Sequence, residues 1–133
     1  MKKDIQIPVV EGLSMAIAYE YNPIFKCHDW NVYIINQKTL DLEMVLIVSK
    51  GFDNDQVTST SKMRHKIEKL PANSYAKVEL LQEDVVQLTN SFQVSFFEGT
   101  SLYEKTFIFK QGTVNENALR MIPVLEKKGV LIK

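Results

Sequence analysis

The chain contains one cysteine, Cys27. No disulfide can form within it, and a disulfide-stapled scaffold is excluded. Only two histidines, His28 and His65, accompany that cysteine, too few for a structural zinc site of four Cys/His ligands. Net charge is missing as well, since 16 Lys and Arg residues balance 16 Asp and Glu residues. Duplex-binding domains draw much of their affinity from neutralising phosphates and carry a basic excess, so no duplex nucleic acid is expected as a partner. The five glycines stand singly at positions 12, 51, 99, 112 and 129. There is accordingly no glycine-rich phosphate loop, no dinucleotide fingerprint and no Gly-x-Ser-x-Gly elbow. No cofactor or metal is expected. No window approaches the roughly 20 consecutive apolar residues that span a bilayer as a helix, so no membrane is expected either. Lys2 and Lys3 resemble the start of a secretion signal, but Asp4, Gln6 and Pro8 interrupt any apolar segment behind them. The expected compartment is the cytoplasm.

What is present is strand patterning. At 133 residues, 45% hydrophobic and 24% charged, the chain fits a single globular domain, 1–133, able to build its own core. Residues 13–21 alternate, with Leu13, Met15, Ile17, Tyr19 and Tyr21 on one face and Ser14, Ala16, Ala18 and Glu20 on the other. That is the period of a half-buried strand, and Asn22-Pro23 ends it. Residues 30–35 and 42–48 are rich in β-branched and aromatic side chains. The six polar-leaning residues between them predict a hairpin. Residues 51–61 predict an exposed loop. Further strands are expected over 62–69, 76–80, 92–96 and 102–110, with Phe92, Phe96, Phe107 and Phe109 in phase as core.

In the tail, Asn115 is placed to cap a short helical turn. Pro123 then favours a hairpin of 124–125 with 130–132, turning at 126–129. Most connections are too short for the helical crossovers of a parallel sheet, and the longer ones lack a 3.6-residue apolar period. The expected fold is all-β, an antiparallel immunoglobulin-like β-sandwich of about seven or more strands, with a closed barrel as its competitor.

Three sets of residues invite a functional reading. Cys27-His28-Asp29 contains the groups of a nucleophile, a base and an orienting carboxylate. Adjacent strand residues point to opposite faces, however, so the thiol and imidazole would not meet, and no catalytic residue is assigned. A pocket near Cys27, His28 and His65 is the runner-up site, for a small-ligand binder or enzyme. Asp53, Asn54 and Asp55 could offer oxygens to calcium, but Thr58 and Arg64 occupy the positions where an EF-hand needs Gly and Glu. Lys62, Arg64 and Lys66 share one strand face opposite Met63, His65 and Ile67. They suit either a solvated edge strand or a surface for an acidic or phosphate-bearing partner, and they form the candidate binding surface. Phe97, out of phase with Phe96, would serve single-stranded nucleic acid only if it lay beside such cations. The leading expectation is a non-enzymatic module that binds a protein partner or associates with itself.

The runs Met44-Val45-Leu46-Ile47-Val48-Ser49-Lys50-Gly51, Arg64-His65-Lys66 with Leu70-Pro71-Ala72, Val94-Ser95-Phe96-Phe97 and Lys127-Lys128-Gly129-Val130-Leu131 carry a resemblance across most of the chain. It resembles a group of short uncharacterised bacterial β-sandwich proteins, some labelled phenylalanyl-tRNA synthetase alpha chain. The resemblance implies a fold and no chemistry. A class II synthetase core is far larger, and its motif arginines have no counterpart in context here.

Overall fold

A computed structural model describes residues 10–53, 59–60 and 62–133. Its described residues form nine strands: β1 (Leu13–Asn22), β2 (Cys27–Asn36), β3 (Leu42–Phe52), β4 (Met63–Leu70), β5 (Ser74–Leu81), β6 (Thr89–Glu98), β7 (Ser101–Phe109), β8 (Arg120–Ile122) and β9 (Lys127–Ile132). A four-residue helix, α1 (Glu83–Val86), lies between β5 and β6, where the sequence pattern predicts no helix. The 3₁₀ turn Glu116–Ala118 sits behind Asn115, whose side chain accepts a hydrogen bond from the Asn117 amide as expected of the cap.

Two antiparallel sheets result, one ordered β5-β2-β1-β9-β8 and the other β4-β3-β6-β7. The fold is therefore an all-β sandwich and not a closed barrel. Inward-facing Met15, Ile17, Val32 and Ile34 of the first sheet meet Val45, Ile47, Phe92, Val94, Phe96, Phe107 and Phe109 of the second in one core. Burying each large side chain contributes about 1.5–3 kcal/mol. In β3, Leu42 and Val45 are both buried although three residues apart. A bulge at this point, with Met44 at φ 49°, restores the inward phase.

The predicted hairpin of residues 30–35 with 42–48 does not form. β2 pairs with β1 and β5, whereas β3 pairs with β4 and β6, so the connection between them crosses from one sheet to the other. Two side chains hold that crossing. Asn36, fully buried, places its amide nitrogen within 3.0–3.1 Å of the Leu40, Leu70 and Pro71 carbonyls. Lys38 reaches the second sheet, pairing with Glu98 at 2.7 Å and lying over the Phe96 and Tyr103 rings.

The tail forms a hairpin, but its turn is 123–126, three residues earlier than the pattern predicts. Gly129 is thus a strand residue. A Cβ there would lie 2.5 Å from the Ile17 carbonyl oxygen, so glycine is required for β9 to approach β1. Leu125 of the turn and Ile122 fold over the outer side of the first sheet. There they bury Ala16, Ala18, Tyr33 and Ile35 in a second small core, and for that reason β1 is buried on both faces over 13–18.

Candidate interaction site

β1 and β2 pair without interruption from Leu13↔Asn36 to Asn22↔Cys27. β5 stops at Leu81, opposite Trp30. The last three pairs of the β1–β2 hairpin therefore extend past their neighbour by about 10 Å, at roughly 3.3 Å per residue. Its tip is a braced turn. The Asn22 side-chain oxygen accepts hydrogen bonds from the Ile24 and Phe25 amides, at 3.0 and 3.3 Å. Its nitrogen donates to Asp29 at 3.0 Å. This is an Asx turn, and it presents Ile24 and Phe25 outward at 81% and 75% exposure, with Tyr21 at 57%. Ile24 and Phe25 are the most exposed large apolar residues described. The pattern of alternation passes over them because they lie between strands. The available signal was an apolar pair within an Asn-Pro turn, where polar residues are the rule.

Behind the tip, His28 stacks on Tyr19 with ring centroids 4.5 Å apart and meets the Tyr21 ring edge-on at 5.4 Å. Tyr19 in turn packs on Trp30 at 4.4 Å. Desolvation, followed by the carboxylates of Glu116 and Glu83, pushes the Tyr19 hydroxyl above its ordinary range. Cys27, opposite Asn22, is a free and exposed thiol. Its neighbour His28 is engaged with tyrosine rings.

His65 lies elsewhere, on β4 in the other sheet, where its Nε2 is 2.8 Å from Glu79 Oε1. The structure does not gather Cys27, His28 and His65 around one point. Ser49 Oγ donates to the same Glu79 oxygen at 2.7 Å. The carboxylate stands between hydroxyl and imidazole. A nucleophile relay needs the imidazole in the middle, so this trio is not arranged for one.

Glu79 lines a cleft of about 360 Å³ where the two sheets part at their β4 and β5 edges. Its walls are largely apolar, from Met63, Leu80, Leu81 and Val85, with Ser49, Lys50, Gln82 and Asn90 among the polar lining. The Lys50 ammonium lies over the Phe52 ring, 5.8 Å from its centroid.

Lys62, Arg64 and Lys66 are exposed. Arg64 and Lys66 stand on β4, the edge strand of its sheet, and pair with Val48 and Leu46 of β3. Phe97 is opposite Glu43, which on its other side pairs with Lys69. Phe97 is thus at the far end of the sheet from Lys62, and the aromatic-and-basic juxtaposition does not form. Phe52 bridges Ser59 at the base of the polar loop, while Asn54, Asp55 and Thr58 lie outside the described residues.

One further polar cluster sits on the outer side of the first sheet. Glu20 accepts from Tyr33 at 2.5 Å and Asn31 at 3.0 Å, and pairs with Lys127 at 2.9 Å. Burial pushes the Glu20 carboxyl up, but hydrogen bonds from Tyr33, Lys127 and Asn31 outweigh it and hold the group below its ordinary range. Burial and the Glu20 charge push the Tyr33 hydroxyl strongly upward. The cluster joins β1, β2 and β9.

No helix among the described residues is long and apolar enough to cross a membrane. Comparison of the chain with protein-family models, curated proteins and solved structures finds no match.

Proposed function

We propose that this chain is a non-enzymatic recognition module, an immunoglobulin-like sandwich that binds a protein partner or a second copy of itself through the tip of its β1–β2 hairpin. The observation that carries this reading is the braced display of Ile24 and Phe25 beyond the body of the sandwich. Exposed apolar side chains on a fixed backbone gain burial on binding with little ordering cost, and aromatic anchors dominate interface energetics. The basic edge formed by Lys62, Arg64 and Lys66 is a second contact surface for an acidic partner. The single free thiol supports the cytoplasm as its compartment.

Affinity capture of the tagged full chain from its native cell, alongside Phe25→Asp and Ile24→Asp variants, tests the assignment. A stoichiometric protein retained by the parent and lost with either folded tip variant is the expected result. Identical captures from parent and tip variants would overturn the tip. Loss only on charge reversal at Lys62, Arg64 and Lys66 would move the site to β4.

A small-ligand reading is favoured by one specific feature, the apolar cleft with the Glu79 carboxylate in its lining. Compact apolar pockets with a few polar groups are the usual form of ligand sites. That reading places the ligand between β4 and β5, away from Cys27 and His28.

A further inference from the structure

We infer that the partner of the hairpin tip is a second copy of this chain, whose Ile24 and Phe25 enter the cleft between β4 and β5. The inference rests on the recognition role proposed above and names its partner.

The molecule carries both halves of such a contact. The convex half is the Asn22-braced turn with two apolar side chains at 81% and 75% exposure. The concave half is the 360 Å³ cleft, whose wall residues Met63 and Leu80 are themselves 50% and 47% exposed. A pocket of that volume lies within the roughly 300–1,000 Å³ that receives compact ligands, the size class of an aromatic and an aliphatic side chain together. Charge favours the α1 side of the cleft for Lys26, the one charged side chain of the tip between Asn22 and Cys27. The acids Glu83 and Asp84 stand there on α1, beside the lining residues Gln82 and Val85. The β4 side is basic instead, with Lys62 and Arg64 exposed around Met63, and Glu79 is already held by His65 and Ser49.

The tip of one chain does not fill its own cleft, since Ile24 and Phe25 stay 81% and 75% exposed. Knob and hole are thus different surfaces of one molecule: two copies exchange tips in a reciprocal two-fold pair, or a head-to-tail contact closes into a ring or propagates.

The test is sedimentation velocity of the full chain from about 1 μM to 1 mM, levels that span ordinary weak to moderate association. The expected result is a mass that rises with concentration, with Phe25→Asp and Leu80→Asp each weakening association at least tenfold. Both positions are exposed, so both variants should fold. Should Leu80→Asp not fold, Met63→Asp replaces it. Mixing the tip variant with the cleft variant restores one intact junction, so the mixture should form dimers that neither variant forms alone. A parent chain that stays monomeric throughout, or a mixture that fails to associate when the parent does, overturns the inference.

Photocross-linking from benzoylphenylalanine at position 25 in the native cell separates this failure from that of the recognition role. Self-cross-links support both. Cross-links to a different protein alone retain recognition and exclude the second copy. Cross-linking to no protein, with a monomeric parent, removes both.

Discussion

The Asn36 amide donates to the Leu70 carbonyl at 3.1 Å, joining the end of one sheet to the end of the other. Its oxygen accepts from the Lys38 amide at 3.0 Å, so one side chain serves the β2–β3 and β4–β5 connections, two of those that cross the sandwich. Asn36→Leu should leave several buried backbone groups without partners. Each unsatisfied group costs about 1–3 kcal/mol. Urea unfolding should register a loss of at least about 2 kcal/mol, and an unchanged midpoint would mean that water replaces the amide.

That amide also marks where the sequence stopped being legible. The alternation of Leu13, Met15 and Ile17 and the phase of Phe92, Phe96, Phe107 and Phe109 reported strands and core correctly, because a pleated strand writes its burial into every second residue. Partner choice leaves no such mark. Residues 37–41 look like a hairpin loop by length and polarity, and it is Asn36 and Lys38, reaching Leu70 and Glu98, together with Asp41, bonded to the Ala72 amide, that hold the segment across the sheets. Gly129 misled for a similar reason. Glycine announces a turn locally, whereas this one is fixed by the Ile17 backbone, more than a hundred residues away in sequence. The cleft was illegible on the same grounds, since Ser49, Met63 and Glu79 come from three strands.

Gly129→Ala should therefore be costly although the change is one methyl group. The added carbon would meet Ile17 O at 2.5 Å, the Ile122 side chain at 2.7 Å and Ala18 Cα at 2.8 Å. Two of these are backbone atoms that cannot rotate away. Overpacking of this kind typically costs about 1–3 kcal/mol. Thermal unfolding should fall by several degrees, and amide exchange should rise along β9 and the facing residues 15–18. Unchanged protection there would show that the sheet accommodates the methyl group without shifting.

Glu20 makes stability depend on pH. Its folded carboxyl titrates below its ordinary value, so on acidification the unfolded chain takes up the proton first. The contribution is complete above the unfolded value, near 4.3, and is lost as pH falls through the folded one. Glu20→Gln should destabilise the protein by about 1–3 kcal/mol at pH 7. The gap between variant and parent should close toward pH 3. Parallel stability curves over pH 3–7 would mean that the carboxylate charge contributes nothing.

Charge reversal at Lys62, Arg64 and Lys66 should leave the fold intact. All three are exposed on or just before an edge strand, and exposed substitutions away from special features usually change stability by less than about 0.5 kcal/mol each. Denaturation of the triple Glu variant should match the parent within about 1.5 kcal/mol, the sum of three such changes. A larger loss would assign these cations a structural role on β4 and disqualify the variant as a probe of binding.

Cys27 gives a direct report on the hairpin tip. The thiol is exposed at the first residue of β2, and its cross-strand partner Asn22 braces the turn that carries Ile24 and Phe25. A small aromatic disulfide reagent should titrate one thiol per chain in native buffer, with no lag and no need for denaturant. Asn22→Ala removes the acceptor of two turn amides and the donor to Asp29, and should cost about 1 kcal/mol. It should also loosen the presentation of Phe25 while leaving the thiol as accessible as before. Because the thiol stands next to the tip, any partner that covers Ile24 and Phe25 should slow its modification. The slowing should grow with partner concentration and disappear with Phe25→Asp. A native thiol that reacts only after unfolding would contradict the exposed hairpin itself, and a rate indifferent to association would place the contact away from the tip.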